Sequence, residues 1–264
     1  MESTEYTTMA AVEDQHWWYG GMRAVAAALL DPIYGRRSDT RILDAGCGTG
    51  GNALFLRRYG QVTALDMARE ALALGQPRLP GRMVGGSVLS LPFAEASFDL
   101  VTSFDVLYHR AVPDERPALR EAHRVLRPGG RLLIRLPAYE FLRGKHDRAV
   151  HTRRRYTATM VRELIGAAGF YVERCTYVLN TLFPLALTQR MIEKAWPGLE
   201  RDDSDLTLPS PSVNAAMRMP LAVEAAYVGL GGSLPFGLSI VCLAHSGKLD
   251  RVVPRRVRKG EAFA

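Results

Sequence analysis

Arg41 to Ala45 is a short apolar strand with one acid, Asp44, and it runs straight into the turn Gly46-Cys47-Gly48-Thr49-Gly50-Gly51. A helical pattern follows from Asn52 to Tyr59. Missing side chains at Gly46, Gly48 and Gly50 let the backbone bend tightly and let a ligand touch the main chain. A strand, a glycine turn and a helix in that order suit a nucleotide-like ligand. Two spacings overlap here. Gly46, Gly48 and Gly51 fit G-x-G-x-x-G, the dinucleotide pattern, whereas Asp44, Gly46, Gly48 and Gly50 fit D-x-G-x-G-x-G. Asp66 closes the next apolar run, and an acid there accepts hydrogen bonds from ribose hydroxyls under either reading. Asp44 tips the balance. A pyrophosphate wants an uncluttered helix N-terminus, and a carboxylate at the mouth of the turn suits a ligand with an ammonium group and a sulfonium instead.

The segment resembles the first motif of the class I S-adenosylmethionine-dependent methyltransferases, and three later segments agree in order. Gly86 to Phe93 resembles the family's third-strand and adenine-loop segment. Ser97 to His109 resembles its fourth strand and following helix, and Val125 to Ile134 resembles the turn into its fifth strand. Together they cover roughly residues 38 to 137. The resemblance implies an α/β, doubly wound, Rossmann-like seven-stranded sheet with an antiparallel strand seven, here with a helical lid.

Within that frame one domain is expected over the 264 residues, 47% of them apolar. Residues 1–37 form an N-terminal helical cap, with Trp17, Trp18, Met22, Val25, Ala26 and Leu29 at helical spacing and Asp31-Pro32 as its end. Residues 38–178 and 237–246 form the core. Strands are expected near 41–45, 61–66, 82–86, 98–104, 131–137, 170–178 and 238–244. Helices are expected near 51–59, 68–75, 105–111 and 115–126, with another that starts after an N-cap at Thr157. Residues 179–236 are a long insertion between the last two strands, with helices near 182–196 and 213–230 and an acidic loop at Glu200, Asp202, Asp203 and Asp205. Insertions that long are usually functional. A lid over the substrate site is expected, its pocket lined by Leu182, Phe183, Leu185, Leu187, Met191, Met217, Met219, Leu221 and Tyr227; the alternative is a packing extension or dimer surface.

Residues 225–244 carry no charge, but Gly229, Gly231, Gly232, Pro235 and Gly237 break the run, which therefore reads as helix end, turn and buried strand. Three scattered cysteines without metal spacing point to a reduced, cytoplasmic setting and no metal. The acidic, polar start of the chain does not resemble a signal peptide. The net charge of +7 is concentrated in the basic tail, 247–264, where six Lys/Arg face two acids. Such a tail is a solvated end, or a weak peripheral contact for an anionic membrane. Phe263 is its one aromatic residue, so base stacking is unsupported and a nucleic-acid partner is not expected.

By resemblance, the cofactor is S-adenosyl-L-methionine. Gly46, Gly48 and Gly50 would cradle its methionine end with Asp44 nearby. Asp66 would take the ribose hydroxyls and Met67 the adenine face. Ser87 stands where the family commonly has an Asp, so its adenine contact is weaker, with the Val88 N–H beside it. Ser103 and Phe104 would face the sulfonium. In His16-Trp17-Trp18-Tyr19 the reading is core packing of the cap, or closure over the methionine end with Tyr19 or Arg23 on the carboxylate.

Methyl transfer from a sulfonium is an in-line displacement in which the protein aligns the reactants and excludes water. A base is needed only for a protonated nucleophile. Candidate bases cluster at 145–156: His146 and His151, with Asp147 to orient one of them and Tyr156 closing the run. The run also resembles a stretch found in a subset of the family, which assigns it no role. His109 is read either as bordering the site or as a helix-surface residue. The expected substrate is a small, largely apolar molecule of the secondary-metabolite kind, acted on by a monomer or homodimer. The alternatives are a lipid-linked or glycan substrate at a membrane surface, and a cofactor-binding scaffold without catalysis.

Overall fold

The computed structural model describes residues 3–35, 39–196 and 207–247. Two helices, α1 (Ser3–Val12) and α2 (Trp17–Tyr34), precede the sheet. Then come β1 (Thr40–Ala45), α3 (Gly51–Leu56), β2 (Gly60–Asp66), α4 (Arg69–Gly75), β3 (Met83–Gly85), β4 (Phe98–Phe104), α5 (Glu115–Val125) and β5 (Leu126–Pro137). A 3-10 turn (Glu140–Leu142) and a short α6 (Lys145–Ala149) lead to α7 (Ala158–Ala167) and β6 (Phe170–Val178), followed by α8 (Phe183–Ala195), α9 (Pro211–Gly229) and β7 (Ser239–Ser246).

The strand order is β3-β2-β1-β4-β5-β7-β6. The first five strands are parallel, and β7 inserts antiparallel between β5 and β6. The chain therefore reverses its direction of winding between β1 and β4. That switch opens a crevice at the carboxyl ends of these strands, the place where open α/β sheets bind ligands. Successive residues along the central strands serve opposite faces. Ile42, Leu100, Leu133 and Leu243 pack with α2 and Leu221 of α9, whereas Leu43, Val101, Leu132 and Cys242 pack with α5 and α7. Burial on both faces is why these strands read as nearly unbroken apolar runs.

Three expectations are corrected. The cap is two helices, and Pro32 lies inside α2, which continues to Tyr34 and ends at Gly35 with φ 53°. Residues 105–111 are turns rather than a helix, so His109 is not one helical turn past Asp105. The apolar residues of the insertion do not line one pocket: Leu221 is wholly buried on Gly21 of α2, while Leu185, Met191, Met219 and Tyr227 face solvent. The Thr157 N-cap is observed, its hydroxyl accepting the Met160 N–H. The acidic loop at 200–205 and tail residues 248–264 lie outside the described residues.

Among the bonds that tie the insertion to the sheet are those of a buried acid. Glu224 accepts the N–H groups of Leu179 (2.7 Å) and Thr181 (2.8 Å) and the Thr181 hydroxyl (2.8 Å), where the chain leaves β6 through Leu179 at φ 62°. Removing that acceptor strands buried donors, each costing about 1–3 kcal/mol. Glu224→Ala should therefore lose about 2–4 kcal/mol in urea unfolding, with Glu224→Gln intermediate; a loss below about 0.5 kcal/mol would show that the insertion does not depend on this bond.

Candidate functional site

The glycine turn sits at the mouth of the crevice. Gly46, Gly48 and Gly50 all have positive φ (88°, 55° and 92°), the region that L side chains avoid. A side chain on Gly46 would also collide with Val106 just beyond β4. The turn is closed from behind by β2. The N–H groups of Gly46 and Cys47 both donate to the Leu65 carbonyl (2.7 and 2.9 Å). The Asp66 carboxylate accepts Gly48 N–H at Oδ2 (2.8 Å) and Ala68 N–H at Oδ1 (2.9 Å). Each oxygen keeps further acceptor capacity, so bracing the turn and receiving a ribose diol are compatible duties.

Asp44 is 1% exposed. Thr102 donates its hydroxyl to Oδ1 (2.8 Å), and among the described residues Oδ2 has no partner. Burial pushes its pKa up to about 7, with the Thr102 bond opposing. An unpaired buried carboxylate oxygen is costly to keep, and an ammonium group is the complement that would relieve it. Glu13 decides between the two glycine spacings. Its carboxylate receives the Thr49 hydroxyl (2.5 Å) and Arg78, and it lies so close to Gly51 that a Cβ there would strike it. An anion of the protein itself thus holds the N-terminus of α3, where a pyrophosphate would need to sit.

The other expected donor contacts are spread around this cradle. Met67 projects from the end of β2, 63% exposed. Ser87 forms a local turn with its hydroxyl accepting Leu89 N–H (3.2 Å), and Val88 enters the core. Ser103 donates to the Ala45 carbonyl (3.0 Å), and Phe104 lies under the Arg135 guanidinium (5.1 Å). Tyr19 is buried edge-on against Trp18 (4.9 Å). Arg23 donates to the Glu13 carbonyl (2.7 Å) and so positions the segment that carries Glu13. From above, Met9 of α1 rests on Gly48. Burial, then the nearby Asp66 and Glu70 carboxylates, push the Tyr6 hydroxyl to about 12.

Of the candidate catalytic residues, His109 and His151 come together, with ring centroids 5.6 Å apart. Ala111 N–H donates to His109 Nδ1 (3.0 Å), which puts the proton of the neutral ring on Nε2. Burial, with His151 and Arg110 nearby, lowers its pKa to about 4. His109 is therefore neutral at pH 7 with its proton on Nε2, and His151 beside it has a left-handed backbone conformation (φ 54°). His146 lies on α6. Asp147 is buried and accepts Gly144 N–H (2.7 Å) and Arg155 (2.8 and 3.1 Å). Tyr156 is wholly buried, with its hydroxyl donated to Glu115, which also receives Arg153 and Arg154. These two brace the loop. Sequence reasoning passed over Asp105, Arg135 and Glu115. A signal existed for Arg135, the lone charge in the run Leu132 to Leu136.

A switch-point crevice, a left-handed glycine turn, an acid at the end of β2 with acceptor capacity to spare and an orphaned buried carboxylate are the features a Rossmann-like methyl-donor site requires. Comparison with known proteins agrees. Residues 43–134 match the methyltransferase domain family. The chain is 36% identical over 126 residues to the ubiquinone/menaquinone biosynthesis C-methyltransferase UbiE of Dinoroseobacter shibae, covering 44% of this chain and 49% of that one. It is 38% identical over 104 residues to the demethylmenaquinone methyltransferase of Staphylococcus aureus, covering 36% and 42%. The chain thus spans about half or less of the length of these curated relatives. The structure of Haemonchus contortus phosphoethanolamine N-methyltransferase 2 with S-adenosyl-L-methionine superposes with a TM-score of 0.56 at 18% identity, over 88% of this chain and 53% of that one, and shows the shared fold. Over residues 43–134 the chain is thus similar to the methyltransferase domain family, and its fold is that of the class I S-adenosylmethionine-dependent methyltransferases.

Two outcomes follow from the titrating groups. A carboxyl with a raised folded-state pKa binds its proton in the folded state, so its stabilising effect is present at low pH and lost as pH rises through that pKa. Between pH 5.5 and 8, Asp44 alone should lower stability by about 2 kcal/mol, and Asp44→Asn should remove that slope in denaturant titrations. Nitrogen NMR of the imidazoles should find His109 in the Nε2–H form and neutral down to about pH 4; titration near 6.5 would contradict the assignment.

Proposed function

We propose that the chain transfers a methyl group from S-adenosylmethionine to a small, flat, largely apolar ring that carries a hydroxyl, of the quinol kind. The observation that carries this is an aromatic surface beyond the ends of β5 and β6. Tyr139 stacks on Tyr177 (5.1 Å, 10°) and on Phe141 (5.0 Å), and Phe183 meets both Tyr139 (5.7 Å) and Phe236 (5.1 Å). Tyr139 is held there at φ 55°, an uncommon conformation for a bulky side chain. Such a platform takes a planar ring by stacking. The names of the Dinoroseobacter and Staphylococcus relatives, both concerned with quinone biosynthesis, support the same acceptor class.

The donor, when bound, supplies a methyl group on a sulfonium, already activated for displacement. Asp66 and the backbone of Gly46 and Gly48 hold its ribose and methionine ends, and Asp44 meets its ammonium. The α1–α2 cap, seated on the turn through Met9 and Glu13, keeps water out. His151 accepts the proton that a hydroxyl-bearing acceptor must lose, and His109 Nε2–H steadies the resulting oxygen.

A second reading, a lipid-linked form of the same ring taken up at a membrane surface, is favoured by two helix faces. On α8, Leu185, Ile192 and the following Trp196 are at least half exposed, and on α9 the same holds for Met219 and Val223. Among the described residues no helix is long and apolar enough to cross a membrane, so any contact would be peripheral.

Calorimetry should detect S-adenosylmethionine binding, weakened at least tenfold in Asp66→Ala; unchanged affinity would refute the ribose role. Reduced demethylmenaquinone with a short side chain should be methylated, and His151→Ala should cut turnover far more than donor affinity. Donor binding without turnover on a panel of ring acceptors would favour a non-catalytic scaffold. Sedimentation with anionic vesicles, using the full chain and a chain lacking 248–264, separates the free from the lipid-linked acceptor.

A further inference from the structure

We propose that Asp105 is the counter-charge for the donor's sulfonium, held in place by Arg135, and that the pair lets the protein tell the charged donor from its neutral spent form. The inference rests on the methyl-transfer reading and concerns a residue to which that reading gives no role.

Position is the first argument. Strand β4 outlasts β1, whose last register pair with it is Asp44 with Thr102. Past that pair, Ser103 turns its hydroxyl onto the Ala45 carbonyl and Phe104 is buried under Arg135. The next residue is Asp105, and Val106 after it is pressed against Gly46. Asp105 therefore directly follows Ser103 and Phe104, the residues the resemblance puts at the sulfonium, and stands at the lip of the crevice next to Val106, which meets the glycine turn.

Conformation is the second. Asp105 has φ 60°, a strained region for a residue with a side chain, and its N–H donates to the Arg135 carbonyl (3.0 Å). Such strain persists where the surroundings over-determine it, and it clusters at ligand sites.

Charge is the third. Arg135 Nε (2.7 Å) and Nη2 (2.5 Å) both donate to the same oxygen, Oδ2. Among the described residues Oδ1 has no hydrogen-bond partner, and the Asp105 side chain is 22% exposed against 5% for Arg135. Arg135 is itself fixed between the rings of Trp18 (4.7 Å) and Phe104 (5.1 Å). A buried guanidinium clamped between two rings is fixed in place, and through Oδ2 it fixes the position of the Asp105 carboxylate. The donor bears two positive centres, an ammonium and a sulfonium. Asp44 answers the first, and Asp105, next after Ser103 and Phe104, is the carboxylate offered to the second; Glu13 and Asp66 are engaged by Arg78, Thr49 and the turn's own N–H groups.

Transfer removes the positive charge: the acceptor's electron pair forms the new bond to the methyl carbon, and the carbon–sulfur pair returns to sulfur as a neutral thioether. Asp105 thus binds what enters better than what leaves. A ligand shifts an equilibrium only by its differential affinity, and this charge supplies the difference.

The test is calorimetric and needs no acceptor. Affinities for S-adenosylmethionine and S-adenosylhomocysteine are measured on the full chain and on Asp105→Asn. The variant should bind the sulfonium about tenfold more weakly and the thioether within twofold of the parent, so the preference between them collapses. A purely structural brace would weaken both ligands together, and that result, or an unchanged ratio, overturns the proposal. Should Asp105→Asn fail to fold with Arg135 left unpaired, the double variant Asp105→Asn/Arg135→Met, which removes both charges, must show the same collapse. A parent chain that binds neither ligand would instead overturn the methyl-donor reading itself.

Discussion

The Asp66 carboxylate joins the two halves of the donor cradle. One oxygen holds Gly48 in the turn after β1, and the other holds Ala68 at the start of α4. A glycine turn alone is a loose object, because glycine gives up more backbone freedom on folding than any other residue. Three successive left-handed glycines keep one shape here because the neighbouring strand fixes them twice, through the Leu65 carbonyl and through Asp66. The remaining geometry follows. Once Gly46 is fixed it presents a bare face to Val106, Val106 fixes the exit of β4, and that exit puts Asp105 at the lip.

The same economy of buried acids recurs in the loops. Glu115 at the start of α5 receives Tyr156, Arg153 and Arg154, and Asp147 receives Arg155 and the Gly144 N–H. Burial would raise the pKa of both carboxyls, but these bonds outweigh it and hold both below their ordinary values. Buried ion pairs add little net stability, while removing one partner costs a great deal. Their effect is to fix one loop path. That path brings His151 onto His109 across an isolated bridge to Thr152.

The strands were legible because they rest on local signals, apolar runs of strand length and turns marked by glycine and proline, whereas the antiparallel course of the last strand came from the family resemblance. The glycine turn with its two flanking acids was legible for the same reason, since Asp44, the turn and Asp66 all lie within 23 residues. What failed depended on distant partners. Residues 105–111 look helical by composition, yet the bond from Asp105 to β5 and the bridge from His109 to Thr152 hold them as turns. Tyr156 and Asp147 look catalytic beside two histidines, and only the fold shows them turned onto Glu115 and Arg155. Glu13 lies 36 residues before Thr49, and no spacing rule connects them. It nonetheless settles which of two glycine patterns the turn obeys.

The carboxylates around the crevice also constrain where catalysis can come from. Methyl transfer discharges a cation, so every nearby anion favours the ground state over the transition state, in which the charge is already leaving sulfur. On the proposed reading Asp44, Glu13 and Asp105 act in retention and selection of the donor rather than in speed. Speed must come from alignment and from a dry site. Both are properties of the cap: α1 seated on Gly48 through Met9, and α2 carrying Trp18 onto Arg135 and Leu221 onto Gly21. The insertion joins this arrangement, since α9 packs on α2 through Leu221, and α2 carries Trp18 onto the guanidinium that pairs with Asp105.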